Sequence, residues 1–302
     1  MADSISEENL NGKFFLPFRY RGLISSQTSL AFDSKNNNLW VADYCNKKIW
    51  IFSVEDRSLI HEINEKDIDR KRLINPHGLV VDRRNNFIYV ADGEYQISAW
   101  SMDDFSPVVL PEISSRKIHG IGYNTMAIDE KRNRIISIKS MMQVDVSSLE
   151  DFSHIFNIGI PGNFQYQYPE SLWDPRGLAI DEENDLIYIV DRKYNSVLVF
   201  SLENGSYLRK IYGNYSSANG MFRHPRSICV INQGRFIVAD TDACRLQAFT
   251  DKGRFISELL CSAGHDPLCV VFNPQTGCIV YSSSTNIFII SAGEWLPDTK
   301  PV

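Results

Sequence analysis

No stretch of this chain approaches the ~18–20 consecutive apolar residues that a membrane-spanning helix needs, so a membrane role is not expected. The opening MADSISEENLNG has no basic stretch leading into an apolar one, so a secretory signal is not expected either. Cysteine is sparse and scattered, at Cys45, Cys229, Cys244, Cys261, Cys269 and Cys278. None of these forms a C-x-x-C pair, which removes the usual zinc-ribbon and redox motifs. The expectation is an intracellular, cytoplasmic protein with reduced thiols. One alternative is a disulfide between Cys269 and Cys278, which flank the turn NPQTG and could face each other across a hairpin. Positive charge is also in short supply. The 31 Lys and Arg stand against 37 Asp and Glu, a net charge of −6, so a broad nucleic-acid surface is not the default and DNA is not expected as a partner.

What is present is a repeat. PHGLVVDRRNNFIYVAD, from Pro76 to Asp92, overlays PRGLAIDEENDLIYIVD, from Pro175 to Asp191. Looser copies end at Asp43, Lys139, Asp240 and Ser283. Asp33, Asp82, Asp129, Asp181, Ile231 and Asn273 occupy one repeat position and recur about 42–52 residues apart, the period of a four-stranded propeller blade. After the second acidic position each copy runs through a short polar loop into a third apolar run, such as KIWIFS or SVLVFS. A turn such as ENG or DKG follows, and then a fourth run such as SYLRKIYG. Four short runs joined by Asn, Asp and Gly turns describe an antiparallel meander. The sixth copy stops after three runs. NGKFFLPFRYRG, Asn11 to Gly22, reads like NGSYLRKIYGNY, so the N-terminal segment is expected to supply the missing outer strand and lock the ring.

The fold expected is therefore all-β. It is a six-bladed β-propeller with four antiparallel strands per blade and an N-terminal strand completing the last blade. Residues 1–10 are expected to be a flexible tail and residues 11–302 a single propeller. NPHGLVVDRRNNFIYVADGEYQISAWS and DPRGLAIDEENDLIYIVDRKYNSVLVFSLENGSYLRKIYG resemble NHL repeats, and the resemblance covers nearly the whole chain after about residue 12. The third and sixth copies are degraded: Lys139 stands where Asp is expected, and MMQVDVSS where an apolar strand is expected. No RING, B-box or coiled coil accompanies the repeats, unlike the tripartite-motif ligases that carry NHL propellers, so ligase activity is not expected.

The resemblance also implies where an enzyme would place its metal. Peptidyl-hydroxyglycine lyases bring three Pro-His histidines from different blades onto a channel zinc, leaving a coordination position open. The corresponding leading positions here are Thr28, His77, Asn124, Arg176, Arg226 and Leu268, and only one is His. A single imidazole cannot hold that ion, and two arginines beside it would repel it. His119, His224 and His265 lie off the leading positions. Calcium-dependent hydrolases of similar architecture would use residues such as Asn75, Asn124, Asp174 and Asp266, but Asp or Asn before Pro is ordinary turn chemistry. No catalytic residue, metal or cofactor is assigned, and a metal-dependent lyase or hydrolase in the channel is kept as a third reading. Asp43, Asp92, Asp191 and Asp240 share one repeat position, which argues for a structural task rather than acid catalysis.

Function is then expected on the face that carries the blade-to-blade connections and the loops between second and third strands, called here the upper face. Arg176, Arg192, Lys193, Arg223 and Arg226 make a basic sector on the fourth and fifth blades, and His77 is expected near the channel mouth. Beside the sector runs GIPGNFQYQYPESLWDPRGL, with Phe164, Tyr166, Tyr168 and Trp173. Aromatics beside arginines suit a protein or peptide contact. They also suit stacked bases of single-stranded RNA, the alternative reading. The bland alternative is a loop folded back over the blade edge with its rings buried. The leading expectation is a non-enzymatic module that binds a protein or peptide.

Overall fold

A computed structural model describes residues 9–10, 13–14, 16–17, 27–64, 75–92, 97–110, 125–140, 142–161, 168–212, 215–231, 234–261, 266–284 and 286–296. The first hairpin of each blade follows from turn chemistry. The carboxylates of Asp33, Asp82, Asp129 and Asp181 and the side-chain amide oxygen of Asn273 accept backbone N–H groups two or three residues on. Each of these turns then passes through a left-handed residue, Asn37, Asn86, Asn133, Asp185 or Gly277, and the turn of blade 5 does so at Gly234. Asn, Asp and Gly are the residues that reach positive φ at little cost.

Six four-stranded antiparallel sheets result. Blade 1 is Gln27–Asp33, Asn38–Asp43, Lys48–Ser53 and Leu59–Ile63. Blade 2 is Gly78–Asp82, Phe87–Ala91, Ile97–Ser101 and a short outer Pro107–Val108. Blade 3 is Met126–Asp129, Arg134–Ser140, Gln143–Ser148 and His154–Ile158. Blade 4 is Pro175–Asp181, Leu186–Asp191, Ser196–Ser201 and Tyr207–Tyr212. Blade 5 is Pro225–Ile231, Arg235–Asp240, Arg245–Phe249 and Phe255–Leu260. Blade 6 is Cys269–Asn273, Cys278–Ser282 and Ile287–Ser291, and its outer edge is Leu16–Pro17 from the N-terminal segment, opposite Ile289 and Phe288. The lock expected from Asn11–Gly22 is therefore present, and among the described residues its outer strand is Leu16–Pro17. Asn9–Leu10 pairs back onto Lys13–Phe14, and residues 1–8 of the expected tail lie outside the described residues.

The first strands touch one another in blade order around a closed ring, and the last touches the first. Six apolar cores follow, one between each pair of neighbouring blades. Alternate residues of one strand serve different cores. Trp40 and Ala42 pack toward blade 2, while Leu39 and Val41 pack toward blade 6. This is why the second strands read as continuous apolar runs: both of their faces are buried. The third run of blade 3 forms its strand despite its polar residues, because buried Asp145 is satisfied by Ser147 and His154.

The hairpin disulfide does not form. Cys269 lies opposite Ser282 and Cys278 opposite Asn273, so the register separates the two thiols, and all six cysteines are free. Among the described residues no helix is long and apolar enough to cross a membrane.

Candidate functional site

The upper mouth of the channel is shaped by a register shift at the start of the first strands. In blade 4, Pro175 pairs with Asp191 and Gly177 with Val190, which leaves Arg176 unopposed. In blade 5, Pro225 pairs with Asp240 and Ser227 with Ala239, leaving Arg226 unopposed. Blade 1 has the same shift at Thr28. A bulge of this kind re-aims one side chain. Arg176 and Arg226 both line the central channel, a cavity of about 470 Å³. Blades 4 and 5 approach closely here. A Cβ on Gly177 would lie 2.9 Å from the Arg226 carbonyl oxygen and 2.9 Å from Ser227 Cα, so only glycine fits. Thr125 Oγ1 donates to the Arg176 carbonyl at 2.7 Å and ties blade 3 to the same point.

Asp174 organises the basic residues of blade 4. Its carboxylate is 2.7 Å from Arg176 Nε and accepts Arg192 Nε–H at 2.8 Å. Asp191 accepts the backbone N–H groups of Trp173 at 2.6 Å, Asp174 at 3.3 Å and Tyr194 at 3.0 Å. Burial raises the Asp191 pKa, and those three N–H groups offset the rise only in part. This carboxylate therefore folds the loop that presents Trp173 and Tyr194. The two rings meet edge-on at 6.1 Å, with Lys193 6.0 Å from the Trp173 ring and Lys210 4.4 Å from the Tyr194 ring.

Asp240 has the matching role in blade 5. It accepts Arg223 N–H at 2.5 Å, Arg245 Nε–H at 3.0 Å and Gln247 Nε2–H at 3.2 Å. Burial pushes its pKa up to about 6 against these contacts. The buried Arg245 guanidinium also donates to the carbonyls of Ser217, Ala218 and Met221 and pairs with Glu258, which pins the connection between blades 4 and 5. On that connection exposed Tyr215 carries the Arg223 guanidinium 5.2 Å above its ring. His224 bonds Asp242 through Nδ1, and its backbone N–H donates to Asn195 Oδ1 at 2.9 Å, which joins the aromatic groups of the two blades. Cys244 lies close by with its thiol on Asp266 at 2.9 Å. That hydrogen bond, then burial, pushes the Cys244 pKa up to about 11, which leaves little thiolate for nucleophilic chemistry at neutral pH.

The residues expected from the sequence divide as follows. Arg176 and Arg192 share the Asp174 carboxylate, Lys193 lies by the Trp173 ring, and Arg223 sits one blade away, next to His224, whose backbone N–H reaches Asn195. Tyr168 is exposed, whereas Trp173 is folded partly inward against Tyr194. Phe164 and Tyr166 lie outside the described residues, as do Asn124, His119 and His265. His77 lies apart from this group. It is half-buried and edge-on to Tyr44 at 4.7 Å, its backbone N–H bonds the Ala91 carbonyl, and burial lowers its pKa. Among the described residues no group of three His, Cys, Asp or Glu is placed to hold a metal ion. The sequence reading missed Tyr194, Tyr215 and Asn195. Tyr194 and Asn195 had a modest signal, following the noted Lys193 in its loop, whereas Tyr215 is eight residues from Arg223 and meets it only in the fold. The opposite mouth is lined by Glu130, Glu182 and Glu183 together with Arg83. There Glu182 accepts the Glu130 N–H at 2.8 Å, blade to blade.

The family model of the NHL repeat matches residues 28–52 and 222–249. These are the first three strands of blade 1 and the corresponding part of blade 5. No curated protein matches the chain.

Proposed function

We propose that this NHL-repeat propeller is a non-enzymatic interaction module that binds a protein or peptide across blades 4 and 5 of its upper face. NHL propellers are generally protein-interaction modules. The observation that carries the reading is the pair of aromatic–cation groups, Trp173–Tyr194–Lys193 and Tyr215–Arg223, held side by side by the Asn195–His224 bond. Trp, Tyr and Arg dominate binding energy in protein interfaces, and here they stand on loops braced by the buried carboxylates of Asp191 and Asp240. Preorganised loops lose little entropy on binding. The RNA reading has less support, because Arg176 and Arg192 share the Asp174 carboxylate and the chain as a whole is acidic.

The test is a peptide-display selection on the purified full chain, with the enriched peptides titrated against two double variants. Trp173→Ala/Lys193→Glu and Tyr215→Ala/Arg223→Glu should each weaken binding at least tenfold, with circular dichroism unchanged. A parallel titration with single-stranded oligouridine should show only weak binding. Peptide binding that survives both variants would overturn the proposal. So would tight oligouridine binding with a steep salt dependence and no enriched peptide.

A further inference from the structure

The carboxylates around the rim groups of blades 4 and 5 are already engaged. Asp174 pairs with Arg176 and Arg192, and Asp191 accepts three backbone N–H groups. Asp240 accepts Arg245, Gln247 and the Arg223 backbone N–H. Of the more exposed acids, Asp242 is bonded to His224 Nδ1 and Asp266 to the Cys244 thiol. The cations of the two aromatic groups are in the opposite condition. Among the described residues, neither Lys193 nor Arg223 forms an ion pair. Lys193 is exposed, with its ammonium 6.0 Å from the Trp173 ring. The Arg223 guanidinium lies over the Tyr215 ring and reaches only two neutral oxygens, Ser217 Oγ at 3.4 Å and Tyr215 OH at 3.5 Å. Its Nε has no hydrogen-bond acceptor. Asp242 and Asp240 act on it through space without pairing with it.

We infer that the partner of this rim is an acidic peptide segment, whose carboxylates pair with Lys193 and Arg223 while its apolar side chains lie on the Trp173 and Tyr215 rings. The inference rests on the reading above that the rim binds a peptide. A guanidinium over a ring face gives up no donor to the ring, so its N–H groups remain for a carboxylate, which accepts them in parallel. The Lys193 ammonium offers the same charge as a point. Lys193 is two residues from Asn195 and Arg223 one residue from His224, so a segment crossing the bond between those two loops passes both cations. Exposed ion pairs add little affinity, because water and salt screen them. Their part is to steer the encounter and to reject basic partners, while the rings supply the adhesion. The chain as a whole carries a net charge of −6 and repels an acidic segment elsewhere, so the unpaired cations also decide where it lands. A nucleic acid is a poorer match. It carries an anion at every nucleotide, and Asp242 and Asp266 stand beside the two cations.

The test is a display selection on the full chain with a peptide library of balanced charge, followed by titration of the enriched peptides. Peptides enriched on the unaltered chain should be net negative. Lys193→Glu/Arg223→Glu keeps both rings and should lose that preference, with circular dichroism unchanged. In the best acidic peptide, replacing Asp and Glu by Asn and Gln should weaken binding roughly fivefold, and roughly 0.5 M KCl should erase most of the difference. Enriched peptides that are neutral or basic, yet are lost with Trp173→Ala and Tyr215→Ala, would overturn the inference and leave the rim reading standing. An acidic preference that persists in Lys193→Glu/Arg223→Glu overturns it as well, because the charge is then read elsewhere. Peptides indifferent to Trp173→Ala and Tyr215→Ala overturn the rim reading itself, and a selection that enriches nothing overturns both. Oligouridine that displaces the acidic peptide and binds more tightly assigns the two cations to phosphate and also overturns the inference.

Discussion

At the scale of single residues, the repeated carboxylates fold the loops that carry the candidate site. Asp191 and Asp240 are buried, yet each is paid back by N–H donors from the connection that precedes its blade. Asp240 makes the clearest pH prediction. Its folded pKa of about 6 lies above the ordinary 3.8, so the folded protein holds that proton more tightly than the unfolded chain. The stability this group contributes is present below about pH 4 and is lost as pH rises through about 6. Arg245 stays charged throughout, and a neutral acid still accepts its N–H. Relative to Asp240→Asn, the unaltered protein should lose on the order of 3 kcal/mol between pH 4 and pH 7 in urea unfolding. A difference that stays flat, or grows with pH, would contradict this assignment.

At the scale of elements, the hairpins were legible and the bulges were not. The Asx turns at Asp33, Asp82 and Asp181 announce themselves, because side chain and turn lie within three residues of each other. The leading positions were found by aligning copies, but alignment cannot show that Arg176 and Arg226 are unopposed in their ladders. That depends on register with a strand more than ten residues away. The contact group of Trp173, Tyr194, Tyr215 and His224 was harder still to read, since it needs loops from two blades to meet. Bulges recur at the outer edges, where the fourth strands of blades 1, 3, 4 and 5 slip by one residue against the third. Ile60, Ile155, Leu208 and Ile256 sit at these slips and are exposed. A twisted edge of this kind resists pairing with another sheet. The glycine of the Pro-x-Gly motif gives the sharpest test at this scale. Gly177→Ala places a methyl group against the backbone of blade 5 and should cost roughly 1–3 kcal/mol in chemical unfolding. An unchanged midpoint would show that the blades do not approach as described.

At the scale of the whole molecule, six cores between neighbouring blades make the ring cooperative, since each blade buries both faces only when both neighbours are present. Closure depends on Leu16–Pro17 covering the edge of blade 6 at Phe288 and Ile289. Removing residues 1–17 should lower the thermal midpoint by several degrees and promote self-association through the uncovered strand, read by light scattering. The period and the missing sixth-copy strand made this architecture visible in the sequence. The central claim concerns the upper face, and hydrogen exchange with a selected peptide bound tests it most directly. Protection at residues 173–176, 192–195 and 222–226, with the outer strands unaffected, is the result expected. Protection confined to the outer strands or to blades 1 and 2 would contradict it.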